Sequence, residues 1–269
     1  MKQIHIVGCS SRSGTTLMSE MMSNCFDIEV KTKEERRISL APPRRGKTIL
    51  TKTPKDIILI KDMLYFIPTL YVIYMLRDPR DVVVSMHPLD KDRYWTTLKE
   101  WMLFTKMGED LKDHPRFITV RYEDLVMHPD DVQEMILQRL PFLRKTVAFS
   151  SFDQAAKPSS SYMTALRGLR PVSTKSIGNW KNHKARLAGQ MQKFGSISSE
   201  LIAYGYEKDT SWEHELKGVI PDLRDSHCAV FSSGKYIRDK LRWNKLRALR
   251  VLINHSQPFM FFKERIHRV

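Results

Sequence analysis

The sequence predicts an α/β domain built on a central, largely parallel sheet. Three observations predict it. An apolar run, Ile4–Gly8, breaks at a glycine into a small polar loop, Cys9–Thr16, and Leu17, Met18, Met21 and Met22 then repeat at helical spacing. The run Leu70–Leu76 is continuous, apolar and β-rich, as a strand buried on both faces must be. Strand-like and helix-like segments alternate along the first 140 residues, the pattern of a parallel sheet with crossover helices.

Each element has its own reason. Ile4–Gly8, Cys9–Thr16 and Leu17–Met22 read as strand, loop and helix, so the loop amides and the helix N-terminus face an anion together. Phe26–Val30 leads into a run of alternating charge, Lys31–Arg37, and Ala41–Gly46 is a loop by its prolines and glycine. Thr48–Lys52 is a short strand that ends at Thr53–Pro54. Asp56–Phe66 has helical periodicity and stops near Pro68. Leu70–Leu76 ends at Arg77-Asp78-Pro79-Arg80, where Pro79 opens a helix. Arg93–Leu111 reads as one long amphipathic helix, Phe117–Val120 as a strand and Asp130–Leu140 as a helix. Further on, Ser159–Tyr162 and Pro171–Trp180 read as polar loops, and Lys184–Phe194 and Ser198–Tyr204 as helices. A boundary near Asp209–Trp212 divides the chain into an α/β domain, 1–209, and a basic, helical extension, 210–269.

Parallel sheets bind ligands at the carboxyl ends of their strands. Gly8, Lys52 and Arg77 each fall at or just beyond such an end, so three loops are expected to converge on one site.

The composition narrows the class. With 269 residues, 42% hydrophobic and 28% charged, the chain can bury one substantial core, and no apolar run reaches transmembrane length. The first strand begins at the N-terminus, which leaves no room for a signal peptide, and a reducing cytoplasm is the expected location. Three widely spaced cysteines, Cys9, Cys25 and Cys228, make neither a disulfide framework nor a zinc site, and Cys9 reads as a packed thiol. The nine histidines lack ligand spacing, so no metal is expected. The net charge of +15 suits a polyanionic ligand, nucleic acid or an anionic membrane. From Lys235 to Val269, ten Lys and Arg face only Asp239 and Glu264. Ile237, Leu241, Leu246, Leu249 and Ile253 are spaced among them as on an amphipathic helix, with Met260 and Phe259, Phe261 and Phe262 beyond as anchors. Such a helix packs on the core, lies on anionic lipid or holds an acidic acceptor; packing on the core is the favoured reading.

The Cys9–Thr16 loop is not a Walker A sequence. Five residues lie between Gly8 and Gly14, and Thr15 stands where the Walker lysine would be. Arg12 supplies a fixed charge instead, and Ser13, Thr15 and Thr16 supply hydroxyls.

Arg12-Ser13-Gly14-Thr15-Thr16 after an N-terminal strand resembles the 5′-phosphosulfate loop of sulfotransferases that use 3′-phosphoadenosine 5′-phosphosulfate (PAPS). Residues 76–85, Leu-Arg-Asp-Pro-Arg-Asp-Val-Val-Val-Ser, resemble the same superfamily's 3′-phosphate segment, with Arg77 and Ser85 eight positions apart. Lys33-Glu34-Glu35-Arg36-Arg37-Ile38 resembles the Gly-Glu-Glu-Thr-Arg segment of tyrosylprotein sulfotransferases and their bacterial relatives. Lys52-Thr53-Pro54 resembles the lysine after the second strand, Tyr122-Glu123-Asp124-Leu125 the segment whose tyrosine lies near the adenosine, and Arg170–Trp180 the late nucleotide-covering loop. In that loop Asn179 stands where relatives carry Lys or Arg, which leaves Arg170, Lys175 or Lys181 to supply the charge. The resemblance spans residues 1–205.

It implies a P-loop-like three-layer fold and in-line sulfuryl transfer to a hydroxyl or amine. Glu35 falls on the family's general base, with Glu34 the residue one step out of register. Lys52 and Arg12 fall on the groups that stabilise the transferring charge. Arg12, Ser13, Gly14, Thr15, Thr16, Arg77, Ser85, Tyr122, Arg170 and Trp180 fall on the donor site, Trp180 as an adenine platform or a buried ring. Glu35 and Arg37 fall on the acceptor side; His87, which follows the Arg77–Ser85 segment, either approaches the acceptor or has a structural role, the latter the favoured reading. The acceptor stays open between carbohydrate, lipid headgroup, small alcohol and peptide tyrosine. Two other readings remain on the residues alone: a P-loop phosphotransferase, and a non-enzymatic basic module that binds nucleic acid or membrane.

Overall fold

The computed structural model describes residues 1–32, 35–38, 47–86, 90, 93–155 and 172–227. Among these residues, five strands form one parallel sheet in the order β2-β3-β1-β4-β5: β1 Lys2–Gly8, β2 Val30–Lys31, β3 Thr48–Lys52, β4 Leu70–Leu76 and β5 Phe117–Arg121. Ile6 is in register with Lys52 on one side and Ile73 on the other, and Gly8 with Met75. The carboxyl ends of β1, β3 and β4 therefore lie side by side, as the strand-end residues required.

Alternation along the strands builds two cores. Ile4 and Ile6 of β1 and Ile73 and Met75 of β4 face helix α1, Thr15–Cys25, whose Met18, Met21 and Met22 cover them. Val7 of β1 and Val72, Tyr74 and Leu76 of β4 face the other way, against α2, Ile57–Phe66, and α4, Leu98–Glu109. Each such side chain contributes about 1.5–3 kcal/mol when fully buried. The result is the expected three-layer α/β fold with a parallel sheet.

Two elements depart from expectation, and a third is where expected but short. The helix expected over 93–111 begins only at Leu98, because Tyr94 is held in extended pairing with Met86 and Ser226, and the Thr97 side chain caps the first turn by accepting from Glu100 N–H. The helix after Arg77 is short, α3 Pro79–Val83, with Asp78 as its N-cap. A helix not foreseen, α5 Tyr122–Met127, follows β5 directly and precedes α6, Pro129–Arg139.

Beyond the short helix α7, Phe152–Ala155, the chain adds α8, Lys184–Phe194, and α9, Ser198–Ala203, close to their expected spans. A third core joins them to α3: Val83, Val84 and Leu98 pack with Trp180, Leu187, Ile197, Leu201 and Trp212. The described part of the 210–269 segment thus lies against the α/β domain. Residues 228–269, which carry the basic tail, lie outside the described residues, as do Glu34, the 41–46 loop, His87, Ser159–Tyr162 and Arg170.

Candidate active site

The loop between β1 and α1 folds back on itself. Ser13 Oγ donates to the Ser10 carbonyl at 2.8 Å, and a Cβ on Gly8 would lie 2.0 Å from that hydroxyl oxygen, so only glycine fits there. The turn passes through left-handed backbone at Arg12, φ 79°, and at Gly14, φ 92°. Gly14 is the N-cap of α1, and the Tyr122 ring occupies the space its side chain would need. The loop is thereby held against the start of α1, whose first amides and dipole favour an anion. Cys9 is buried beneath it, and burial pushes its thiol up to about 12, so it stays protonated and packs as expected.

Lys52 leaves the end of β3 towards this helix start. Its Nζ donates to Thr16 Oγ1 at 3.0 Å and lies 3.3 Å from Glu35 Oε1. The Lys52 side chain is 14% exposed and that of Glu35 55%, so the carboxylate end of the pair opens to solvent. Two backbone N–H groups hold the Glu35 segment on β3 and the turn after it. Arg36 N–H donates to the Lys52 carbonyl at 3.1 Å, and Ile38 N–H donates to Asp56 Oδ2 at 2.5 Å. Arg37 is half-buried on the same segment.

On the other side of the loop, Arg77 follows β4. Its Nη1 donates to the Arg12 carbonyl and its Nη2 to the Ser176 carbonyl, both at 3.0 Å, and its guanidinium lies 4.2 Å from the centre of the Tyr122 ring. Tyr122 and Ser176 share a hydrogen bond of 2.6 Å between their hydroxyls. Ser85 closes α3 by donating from Oγ to the Asp81 carbonyl at 3.0 Å. The Asp81 side chain is spent on the late loop. It accepts Gly178 N–H at 2.8 Å and Trp180 N–H at 2.9 Å, and desolvation raises its pKa.

The structure therefore gathers Arg12, Ser13, Gly14, Thr15, Thr16, Lys52, Glu35, Arg77 and Tyr122 around one strand-end loop. Trp180 goes elsewhere. It is buried, edge-on to Trp212 and under the Arg80 guanidinium, because the third core claims its ring; it packs as a core residue rather than as an open platform. Of the cations near Asn179, Lys181 pairs with Glu215 at 3.3 Å, and Lys175 is exposed. Among the described residues, no group of three or more His, Cys, Asp or Glu has the geometry to hold a metal.

Further residues support this site. Arg80 grips Asp78 and Glu207, and Glu123 accepts Asp78 N–H at 3.0 Å and the Tyr206 hydroxyl at 3.2 Å; these residues are buried or half-buried. Sequence reasoning missed Glu123 and Glu100. Glu100 of α4 reaches the phosphate loop. The Thr97-x-x-Glu100 spacing, a capping pattern, was the signal that would have placed Glu100 in the first turn of a helix beginning there.

Residues 36–142 match the model of a sulfotransferase family. The match covers less than half of the chain. It begins one residue after Glu35 and contains Lys52, Arg77, Ser85, Glu100 and Tyr122, while the phosphate loop lies upstream of it. No curated protein sequence matches the chain. Among solved structures, the sulfotransferase domain of the Synechococcus PCC 7002 olefin synthase is 14% identical over 67% of this chain and 87% of its own, with a TM-score of 0.49. Mouse sulfotransferase SULT7A1 complexed with PAP is 17% identical over 80% of this chain and 88% of its own, with a TM-score of 0.46. Retinol dehydratase in complex with androsterone and inactive cofactor PAP is 12% identical over 96% of this chain and 82% of its own, with a TM-score of 0.35.

Proposed function

We propose that this protein transfers a sulfuryl group from PAPS to a hydroxyl or amine acceptor, with Glu35 as general base. The observation that carries the reading is the placement of Lys52. One ammonium group lies 3.0 Å from Thr16, at the start of the helix below the phosphate loop, and 3.3 Å from Glu35. A single cation thus joins the donor loop to a solvent-facing carboxylate, which is what in-line transfer between a bound anion and an incoming acceptor needs.

The roles follow from position. The loop amides, Arg12, and the hydroxyls of Thr15 and Thr16 hold the 5′-phosphosulfate, with the tight turns at Gly8 and Gly14 bringing backbone close to the anion. Arg77 and Ser85 take the 3′-phosphate, a fork and a hydroxyl suited to that group, and Tyr122 flanks the nucleotide. Glu35 removes the acceptor proton as the acceptor's oxygen or nitrogen bonds to sulfur, and Lys52 stabilises the negative charge that builds on the oxygen leaving sulfur. Arg37 and His87 belong to the acceptor side, and Arg170 to the nucleotide cover.

Calorimetry with adenosine 3′,5′-bisphosphate and AMP tests the donor assignment. The bisphosphate is expected to bind more tightly by about 1.5–3 kcal/mol, the value of a charge-assisted contact. Equal affinities would remove Arg77 and Ser85 from the 3′-phosphate site. Transfer that survives chelation of Mg²⁺ fits sulfuryl transfer; its complete loss would favour a phosphotransferase.

A further inference from the structure

Glu100 lies under the phosphate loop, on α4. It is 4% exposed. Its Oε1 accepts from Ser10 Oγ at 3.0 Å and from Ser11 N–H at 3.3 Å, while its Oε2 accepts from Lys55 Nζ at 3.1 Å. The Thr96 hydroxyl meets Ser10 Oγ at 2.9 Å and completes the attachment. A buried carboxylate is the wrong charge behind a loop that receives an anion, since it opposes the field of the helix start. Lys55 answers that charge at Oε2 and leaves Oε1 to fix the loop.

The position of Lys55 gives the pair its meaning. It belongs to the short turn Pro54–Asp56 that follows Lys52. The next residue, Asp56, holds Ile38 N–H, and the Lys52 carbonyl holds Arg36 N–H. One turn is therefore tied to both partners of the reaction: through Lys55 and Glu100 to the Ser10–Ser11 half of the donor loop, and through Asp56 to the segment that carries Glu35.

We infer that Glu100 and Lys55 form a positioning pair for the transfer. Glu100 fixes the donor loop against the segment bearing the base, and Lys55 cancels its charge so that the donor anion meets no added repulsion. This rests on the donor reading above, and the test separates the two.

Hydrogen exchange is measured first, with no nucleotide present, on peptides covering residues 9–16 and on peptides from the sheet. Glu100→Ala is expected to exchange about tenfold faster in the loop, with the sheet unchanged, since a charge-assisted anchor of this kind holds roughly that much. Binding of adenosine 3′,5′-bisphosphate is then measured for Lys55→Met, Glu100→Gln and the double variant. Lys55→Met leaves a bare carboxylate behind the loop and is expected to weaken binding about tenfold or more. Adding Glu100→Gln removes that charge, keeps an acceptor for Ser10 and Ser11, and is expected to return affinity to within about threefold of the parent. A purely structural pair would instead lower the melting temperature in every variant and show no such rescue. Loop exchange in Glu100→Ala equal to the parent's overturns the positioning role. Equal affinity losses in Lys55→Met and the double variant overturn the charge-cancelling role. If Glu100→Ala does not fold, loop exchange in Glu100→Met, which keeps side-chain volume but removes the acceptor, decides in its place. A parent that binds no bisphosphate defeats the donor reading, and loop exchange then decides the pair alone.

Discussion

Glu35 and Lys52 are close enough to interact but differ in what each is expected to touch. Glu35 is more than half exposed and is held through the backbone N–H groups of Arg36 and Ile38 that follow it, so its carboxylate is placed without being covered. Glu35→Gln keeps the shape and hydrogen bonding but cannot accept a proton. Loss of a general base is typically worth about 10²–10⁴ in rate. Turnover is expected to fall by that order with bisphosphate affinity unchanged. Lys52→Ala removes the contact to Thr16 as well, so both turnover and donor affinity should fall. Glu34→Gln is the control for register and should be mild. Near-normal turnover in Glu35→Gln would remove it as the base, and a dead Glu34→Gln with active Glu35→Gln would shift the assignment by one residue.

At the scale of elements, the donor loop depends on two turns that side chains cannot easily follow. Gly14 sits at φ 92° with the Tyr122 ring 2.4 Å from where a Cβ would be. Gly14→Ala adds about 1–2 kcal/mol of left-handed strain and pushes Tyr122 away from Arg77 and Ser176. Thermal melting should drop, and the bisphosphate should bind more weakly, even though no ligand-touching side chain has been deleted. Unchanged binding in that variant would mean that the Tyr122 contact does not shape the site. These elements also show what sequence reveals. Gly8, Lys52 and Arg77 were legible because each interrupts an apolar run at the end of a strand, where composition changes sharply. The helix Tyr122–Met127 was not, because six residues are too few to display a period. The start of α4 was misplaced because Arg93–Thr97 fits a helical pattern, while Tyr94 takes part in an extended pairing with Ser226, more than a hundred residues away, that no local window contains. Glu100 was unreadable as a site residue for a related reason. A glutamate in a helix reads as solvated until the loop that covers it is known.

At the scale of the whole molecule, the question is where the folded unit stops. Trp212 is buried against Trp180 and donates to Ser198 Oγ at 2.9 Å. Arg186 has its guanidinium buried and donates to the carbonyls of Val83, Thr96 and Arg224 and to Ser226. Gly189 is needed because a Cβ there would fall 2.0 Å from the Asp222 carbonyl. A chain ended after Asp209 would expose Trp180 and remove two of the Arg186 acceptors, Arg224 and Ser226, whereas one ended after His227 keeps them all. The first should melt at a clearly lower temperature than the second; equal melting would mean that residues 210–227 add nothing to the domain. Asp222 gives this segment a pH signature. Its bonds with Arg224 bring the carboxyl down from 3.8 to about 2. A depressed carboxyl stabilises the fold fully above its unfolded value and loses that contribution as pH falls towards the folded one. Asp222→Asn should therefore have a lower urea midpoint than the parent at about pH 6, and the gap should narrow by about pH 2.5. Comparing parent with variant isolates Asp222 from Asp27, Asp130 and Glu213, whose carboxyls are also lowered by their partners. A gap of constant size across that range would show that Asp222 holds the segment by shape and neutral hydrogen bonds rather than by its charge.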